Sequence, residues 1–153
     1  MRMSFSGAPA IQADRATVWK ALLDPDTVAR AATAIESVER HDDTHFTVIA
    51  SLGVGVLRLR FKMAAELFDI VEGQRAKMRV RGKAPGSTVD ATTSFRLEDA
   101  GRAATTLHWQ ADADVGGTIA SVGARLLEGT ARRLTEEFWQ DFADLVSREA
   151  KAS

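Results

Sequence analysis

Two histidines and two aspartates lie within residues 41–45, and these side chains are able to bind a metal ion. His41 and His45 are four residues apart, a spacing that would place both on one face of a helix. The Asp42-Asp43-Thr44 segment between them is typical of a turn. We therefore predict ordinary exposed histidines in this segment and no metal site.

Candidates for proton transfer or covalent catalysis are few. His108 falls on the outward register of a predicted strand. The chain contains no nucleophile elbow, no glycine-rich phosphate loop before a helix and no carboxylate pair on an inward register. The polar side chains expected at or near inward positions are Ser87, Thr93 and Thr105, and hydroxyls alone are weak acids and bases. The sequence therefore predicts no catalytic residue.

Alternation of apolar and polar residues predicts an antiparallel sheet of about seven strands. Within residues 57–67, for example, Leu59, Phe61 and Met63 alternate with Arg60 and Lys62, and successive strand side chains point to opposite faces. Similar patterns, separated by turn residues, predict strands at 4–13, 35–40, 46–52, 57–67, 74–83, 89–97 and 103–113.

Helical spacing of apolar residues occurs in three segments. Asp14 is the expected N-cap of a short helix that ends at Asp24-Pro25, and a second short helix is predicted at about residues 26–32. Residues 118–147 repeat apolar side chains at three- and four-residue steps, which predicts one long amphipathic helix. The resulting fold class is α+β, with a curved sheet wrapped around the last helix.

Length and composition predict a single domain spanning residues 1–153. The chain is 45% hydrophobic, which is enough for one core, and no linker or repeat divides it. Cysteine is absent, so disulfides and thiolate metal sites are excluded. Because the chain shows no membrane-spanning stretch and no signal-peptide core, we expect a soluble cytoplasmic protein.

Basic residues concentrate on one predicted hairpin although the net charge of the chain is −1. Eight of them would share its outer face, namely Arg58, Arg60, Lys62, Arg75, Lys77, Arg79, Arg81 and Lys83. A solvated sheet face that discourages edge pairing is the simplest interpretation. Docking to an acidic protein or to an anionic membrane surface is the alternative. Nucleic acid is not predicted, because no aromatic residues interleave with these cations.

The inward positions of the sheet carry almost no ionisable residue, so we expect an apolar cavity closed by the last helix. Phe61 and Trp109 offer flat surfaces to a ring, and Met63 and Met78 adapt to irregular shapes. The expected lining is Leu57, Leu59, Phe61, Met63, Met78, Phe95, Trp109, Ile119, Val122, Leu126 and Leu127. The same residues would form an ordinary core, and only a void of about 300–1,000 Å³ distinguishes the two interpretations.

The chain resembles the CoxG family of carbon monoxide dehydrogenase subunits, within the helix-grip or START-like (SRPBCC) superfamily. The resemblance runs nearly end to end, and it depends on the shared order and spacing of short patterns. These are Phe5-Ser6-Gly7, Ile11, Ala13, Val18-Trp19, Leu22, Asp24-Pro25, Val28-Ala29, Glu36-Ser37, Ala111-Asp112, Val115-Gly116-Gly117, Ile119-Ala120, Gly123, Arg125-Leu126, Ala131, Leu134 and Phe138. One departure is Thr33-Ala34, where the family commonly has a Pro-Gly turn.

The resemblance implies a non-enzymatic protein that binds a hydrophobic small molecule, such as a quinone or lipid, and has no cofactor. It further implies service to a molybdenum-containing carbon monoxide dehydrogenase-type enzyme, through maturation, membrane recruitment or quinone delivery. Peripheral contact with the inner membrane face would then have to use the folded surface.

Two other functions remain open at this point. A polyketide cyclase or dehydratase can use the same fold, but it would need polar groups inside the cavity. A protein-interaction adaptor could instead hold an acidic partner on the basic hairpin, since a fold alone does not assign function.

Overall fold

The structure is a computed structural model that describes residues 1–152, and an eight-stranded antiparallel sheet forms its framework. The strands are β1 (Arg2–Gly7), β2 (Ala10–Ile11), β3 (Ile35–Arg40), β4 (His45–Val54), β5 (Leu57–Val71), β6 (Arg75–Ala84), β7 (Ser87–Asp99) and β8 (Thr105–Gly117). Their order across the sheet is β1-β8-β7-β6-β5-β4-β3, and β2 also pairs with β8. Consecutive strands from β3 to β8 are neighbours in the sheet.

The first predicted strand, residues 4–13, is two strands in the structure. Pro9 lies between β1 and β2, and proline has no backbone N–H to donate to a ladder. Its carbonyl still accepts from the Leu107 N–H at 3.0 Å, so the chain stays against β8. The sheet therefore has eight strands where about seven were expected.

Two short helices, α1 (Arg15–Leu22) and α2 (Pro25–Ala31), follow β2. Asp14 caps α1 as predicted, because its Oδ1 accepts the Thr17 N–H at 2.8 Å. Hydrogen bonding to the Thr17 side chain, and then to its backbone N–H, lowers the pKa of Asp14. Asp24 caps α2 by accepting from the Asp26 N–H at 3.1 Å and from the Thr27 hydroxyl at 2.8 Å. Pro25 occupies the first turn of α2, where its missing N–H costs nothing.

The long helix α3 spans Ala124–Ala152, so the predicted start at residue 118 was wrong. Residues Thr118–Val122 form a 3₁₀ helix, and Gly123 separates the two with a φ of 102°. Such a backbone angle is open to glycine but strained for other residues. Gly123 thus lets the chain leave β8 and change direction before α3 crosses the sheet.

The inner face of the sheet packs in two apolar clusters. The larger one joins α1 and α3 to the middle of the sheet, with Trp139 stacked on Trp109 at a centroid distance of 5.7 Å and 19° between the rings. Phe142 lies beside Trp139 and is fully buried. The smaller cluster, around Met3, Phe61 and Ile119, lies where the 3₁₀ helix and the first turns of α3 meet the sheet. The larger cluster also extends over the β4–β6 side of the sheet, where it includes Phe46, Ala65 and Leu67.

Gly7 should be irreplaceable even by alanine, because a Cβ there would lie 2.7 Å from the Trp109 Nε1 atom. That indole is held by its stack with Trp139 and cannot easily move. We expect Gly7→Ala to lower the free energy of unfolding by about 1–3 kcal/mol in chemical denaturation, the usual range for overpacking. Gly53→Ala is the matched control, since Gly53 is also a strand glycine and the nearest atom to its Cβ would be the Leu57 carbonyl oxygen at 3.9 Å. A loss as large for Gly53→Ala would contradict the role of the fixed indole.

Candidate ligand-binding site

An apolar cavity of about 250 Å³ lies between the two short helices and the inner face of strands β3–β6, a volume just below the range of about 300–1,000 Å³ that is typical of ligand pockets. Phe138 is the residue that α3 contributes to its wall. All fifteen lining side chains are apolar: Leu22, Leu23, Pro25, Val28, Ala32, Ile35, Val38, Phe46, Val48, Met63, Ala65, Leu67, Met78, Val80 and Phe138. The wall therefore offers no side-chain hydrogen bond, and its chemistry suits hydrocarbon.

Packing explains why the space is left on this side. Trp139 and Phe142 of α3 project against β7, β8 and α1, and they fill that half of the concave face. Opposite β3–β6 the cover is α2 with its C-cap, which contribute the small side chains Pro25, Val28 and Ala32, beside Leu22 and Leu23 at the end of α1. Small residues on a helix cannot reach as far as the tryptophans, so a void remains between α2 and the sheet.

We place the mouth of the cavity between α2 and the edge strand β3. Its lining residues on these two elements, such as Val28, Ile35 and Val38, are partly exposed. On the opposite wall, Phe46, Ala65 and Leu67 are buried. The turn at Thr33-Ala34 joins α2 to β3 beside this mouth, and the Ile35 N–H closes it by donating to the Ala32 carbonyl at 3.0 Å. Since none of its residues has a positive φ, the turn does not require glycine.

Of the lining predicted from the sequence, the structure places Met63 and Met78 in this cavity. Phe61, Ile119 and Leu127 are buried in the smaller cluster, and Leu59 and Val122 pack against it. Phe95 and Trp109 belong to the larger core cluster, and Leu57 is half-buried next to the β4–β5 turn. Leu126 is 46% exposed and lies outside the cavity. The cavity thus lies beneath α2, and ligand binding by the residues at the first half of α3 stays a prediction.

Sequence reasoning missed the contribution of the short helices and of β3. Leu22, Pro25 and Val28 fit an ordinary helix pair, and nothing in their spacing distinguishes a cavity wall from a core. The one usable signal was that α2 offers only small apolar residues to a sheet face rich in large ones. Such a mismatch in side-chain size indicates a void.

The polar side chains expected at inward positions stabilise the fold and do not line the cavity. The Ser87 Oγ accepts the Ile119 N–H at 3.0 Å and so anchors the 3₁₀ helix, and the Thr105 hydroxyl donates to the Ala13 carbonyl at 2.8 Å. Thr93 is partly buried on β7 and does not line the cavity. His108 lies on the outer face, as predicted, with its Nε2 3.5 Å from Glu98. None of these groups faces the cavity.

The histidines at residues 41–45 form a polar turn. His45 Nδ1 lies 2.9 Å from Asp42 Oδ1, and His41 Nε2 lies 2.6 Å from the Thr47 hydroxyl. Within residues 1–152, no three histidine, aspartate or glutamate side chains are arranged to hold a metal ion. The Thr44 N–H and the His45 imidazole together lower the pKa of Asp42 to about 2, and hydrogen bonding to Asp42 raises the pKa of His45.

Asp42→Asn should return the pKa of His45 toward its ordinary value, in an NMR titration of the imidazole. Because the pKa of His45 is raised and that of Asp42 is lowered in the folded protein, the pair's stabilising effect is complete between the ordinary aspartate pKa of 3.8 and the ordinary histidine pKa of about 6.5. It is lost as the pH rises through the folded pKa of His45 or falls through that of Asp42. Asp43→Asn is the control, since Asp43 pairs with Arg40 instead. An equal shift in both variants would rule out the Asp42 contact as the cause.

The eight basic residues predicted to share a face do so on the outside of β5 and β6, where they alternate with inward side chains. Asp90 of β7 neutralises part of this basic face, because it lies 3.1 Å from Arg79 and 3.9 Å from Arg81. Two further ion pairs are Arg60–Glu36 at 2.7 Å and Lys77–Asp69 at 3.6 Å. In the described chain, no acidic side chain forms an ion pair with the other four basic residues, which are Arg58, Lys62, Arg75 and Lys83.

An antiparallel sheet that curves around a long C-terminal helix and encloses an apolar cavity defines the helix-grip, or START-like, class of proteins. Comparison with models of protein families then identifies one family within this class. Residues 7–147 match the model of the G subunit of carbon monoxide dehydrogenase (CoxG), and the chain belongs to that family. No curated protein matches the sequence.

Solved structures of other proteins share the fold. A conserved protein from Geobacillus kaustophilus is 22% identical with a TM-score of 0.86, over 95% of this chain and 96% of its own. The Zhui aromatase/cyclase from Streptomyces sp. R1128 is 16% identical with a TM-score of 0.66, covering 99% and 94%. A START superfamily protein from Mycobacterium smegmatis is 13% identical with a TM-score of 0.65, covering 97% of each chain. At these identities the likeness is one of fold.

Proposed function

We propose that this protein is a non-enzymatic carrier that holds the hydrocarbon tail of an amphipathic lipid or isoprenoid quinone in the cavity beneath α2. The observation that carries the proposal is the wall itself, since all fifteen lining side chains are apolar. Membership in the CoxG family further supports an accessory role to a molybdenum-containing carbon monoxide dehydrogenase-type enzyme. Delivery of a quinone, maturation and membrane recruitment are all compatible with such a carrier.

The wall chemistry favours binding by the tail over binding by the ring. A quinone ring carries two carbonyl oxygens, and each would lose its hydrogen bonds to water in this cavity. Leaving one such group unpaired costs about 1–3 kcal/mol. A saturated or isoprenoid chain has no such groups and gains free energy from every methylene removed from water.

The volume of the cavity limits how much of the ligand's hydrocarbon tail can enter it. A water molecule takes about 30 Å³ in the liquid, and a methylene group is of similar size. A cavity of about 250 Å³ therefore accepts roughly eight carbon atoms on that scale. The head group and the rest of a longer tail would lie at the mouth between α2 and β3.

A cyclase-type enzyme is the weaker interpretation of the same fold. Such chemistry requires a side chain that can donate or accept a proton beside the substrate, whereas the wall of this cavity consists of hydrocarbon and thioether groups. The aromatase/cyclase neighbour is compatible with the fold, and its name gives an activity of that protein alone.

Native mass spectrometry of the protein purified from a quinone-producing host, with organic extraction, tests the carrier function. We expect about one quinone or lipid per chain. Titration should then show that a short-tailed quinone binds whereas the same ring without a tail does not. A protein that arrives empty and binds neither compound would overturn the carrier proposal, and equal binding of both would overturn the tail-first arrangement.

Docking of an acidic partner enzyme is proposed for the basic face. Lys62 and Lys83 oppose each other across β5 and β6, and in residues 1–152 neither has an ion pair, so both charges are available to a partner. We expect the double variant Lys62→Glu and Lys83→Glu to lose capture of the dehydrogenase in a pull-down while it keeps its ligand. Arg96→Glu is the control on β7. Capture that survives the double reversal would contradict this docking surface.

A further inference from the structure

The turn between β4 and β5 presents an apolar side chain to solvent. Val54 pairs with Leu57, so Gly55 and Val56 are the two residues of a tight hairpin turn. Gly55 has a φ of 60°, the sign required at the first position of a type II′ turn. Val56 is 99% exposed, at a position where turns usually carry a polar residue or glycine. The fold provides no internal partner for this side chain.

A second exposed apolar residue lies next to this turn. Leu126, in the first turn of α3, is 46% exposed, and its Cδ2 would lie 3.0 Å from a Cβ placed on Gly55. The described chain exposes three large hydrophobic side chains, and the third, Ile70 at 39%, is in the last part of β5. Two of the three therefore cluster at one end of the molecule, which we call the hairpin tip (residues 55–56 with Leu126).

Positive charge surrounds the hairpin tip. An open groove of about 1,040 Å³ separates the β4–β5 turn from the start of α3, and it is lined by Arg58, Arg125 and Arg133 but by no carboxylate. Arg58 and Arg125 form no ion pair within residues 1–152. Arg133 contacts Glu137 at 3.7 Å along the exposed side of α3, and exposed pairs of this kind are weak. The groove is therefore cationic next to two apolar side chains.

We propose that the hairpin tip and its three arginines dock this protein on the surface of a bilayer that contains anionic phospholipid. Val56 and Leu126 enter the headgroup region, and the arginines contact lipid phosphates. Binding at a membrane surface is strengthened by inserted apolar area and by electrostatic attraction to anionic lipids, and this end of the molecule offers both. In the described residues, no helix is long and apolar enough to cross a bilayer, so this attachment is peripheral.

The shape of the site favours a bilayer over an acidic protein. A stable protein interface buries about 800 Å² on each partner and centres on large, well-packed anchors such as Trp and Tyr. The hairpin tip instead offers one protruding valine and one half-exposed leucine with long, flexible cations around them. A fluid surface of phosphates and acyl chains adapts to that arrangement, and the inference holds whatever molecule the cavity carries.

Co-flotation of the full-length protein with vesicles tests the proposal. We expect binding to vesicles of phosphatidylcholine mixed with phosphatidylglycerol, little binding to phosphatidylcholine alone, and release by high salt, because screening weakens exposed charge contacts. Val56→Ser should weaken binding about tenfold. Arg125→Gln with Arg133→Gln should weaken it about 25-fold, since each basic residue near an anionic surface contributes about fivefold.

Ile70→Ser is the matched control, because it removes the third exposed apolar side chain from another part of the surface. It should leave vesicle binding unchanged. Thermal unfolding of each variant shows whether the fold is intact, and these exposed positions should leave it so. Failure to bind anionic vesicles, equal binding to neutral ones, or equal losses for Val56→Ser and Ile70→Ser would each overturn the proposal. A different outcome would assign the hairpin tip to a protein partner. In that case the parent protein would not bind vesicles, and Val56→Ser would lose capture of the dehydrogenase.

Discussion

Ala65→Phe should weaken binding of a short-tailed quinone or an alkyl lipid by at least a hundredfold. Ala65 is buried on the inner side of β5, opposite Phe46 and Val80 in the neighbouring strands, and all three line the cavity. A phenyl ring at this position would fill most of a space of about 250 Å³. Isothermal titration calorimetry measures the loss, and mass spectrometry of the purified variant should show no bound lipid.

Leu126→Trp is the matched control for this experiment. It also introduces a large aromatic ring, but at a half-exposed position outside the cavity. Affinity for the hydrophobic probe should stay within a few-fold of the parent protein. If Leu126→Trp abolished binding and Ala65→Phe did not, the ligand would lie under the first half of α3, where the sequence pattern had placed it.

Phe142→Ala should lower the free energy of unfolding by about 3–5 kcal/mol, the range for removing a large buried aromatic side chain. Phe142 has no exposed surface, and its ring lies 5.9 Å from that of Trp139 and 6.2 Å from that of Phe138, between centroids. Because domains of this size are stable by only about 5–15 kcal/mol, such a loss is a large share of the total. Chemical denaturation with a fixed m-value would measure it.

Phe138→Ala, one helical turn before Phe142, should behave differently. The Phe138 ring is partly exposed and lines the cavity, so its removal enlarges an existing void. We expect a smaller loss of stability than for Phe142→Ala and tighter binding of longer tails. Equal destabilisation by the two changes, with no effect of Phe138→Ala on chain-length preference, would show that Phe138 belongs to the core rather than to the cavity wall.

Several structural features could be predicted from local pattern. Two-residue alternation identified the strands from β3 to β8 and the outward position of the basic residues, because a strand turns each side chain to the opposite face of its neighbour. Asp14 and Asp24-Pro25 marked the short helices, since caps and proline act on the adjacent turn of backbone. These signals lie within a few residues of the structure that they determine.

The residue at which α3 starts could not be predicted without the backbone conformation. Apolar spacing continues through Ile119 and Val122, so periodicity alone extended the helix to residue 118. In the structure Gly123 adopts a φ of 102° and interrupts it. A glycine within a helical pattern is usually tolerated, and only the path from β8 to α3 determines that this one changes the chain direction.

Local sequence pattern is enough to derive the α+β fold, the order of its elements and an inner face with almost no ionisable residue. The position of the cavity, in contrast, depends on tertiary packing. Phe61 and Met63 have the same register on β5, yet Phe61 is packed in the smaller cluster and Met63 faces the void. The difference arises because Ile119 of the 3₁₀ helix and Leu127 of α3 pack in the cluster that buries Phe61, whereas the small side chains of α2 leave the space beside Met63 open. Cavities result from how distant side chains fit together, and periodicity along the chain does not contain that information.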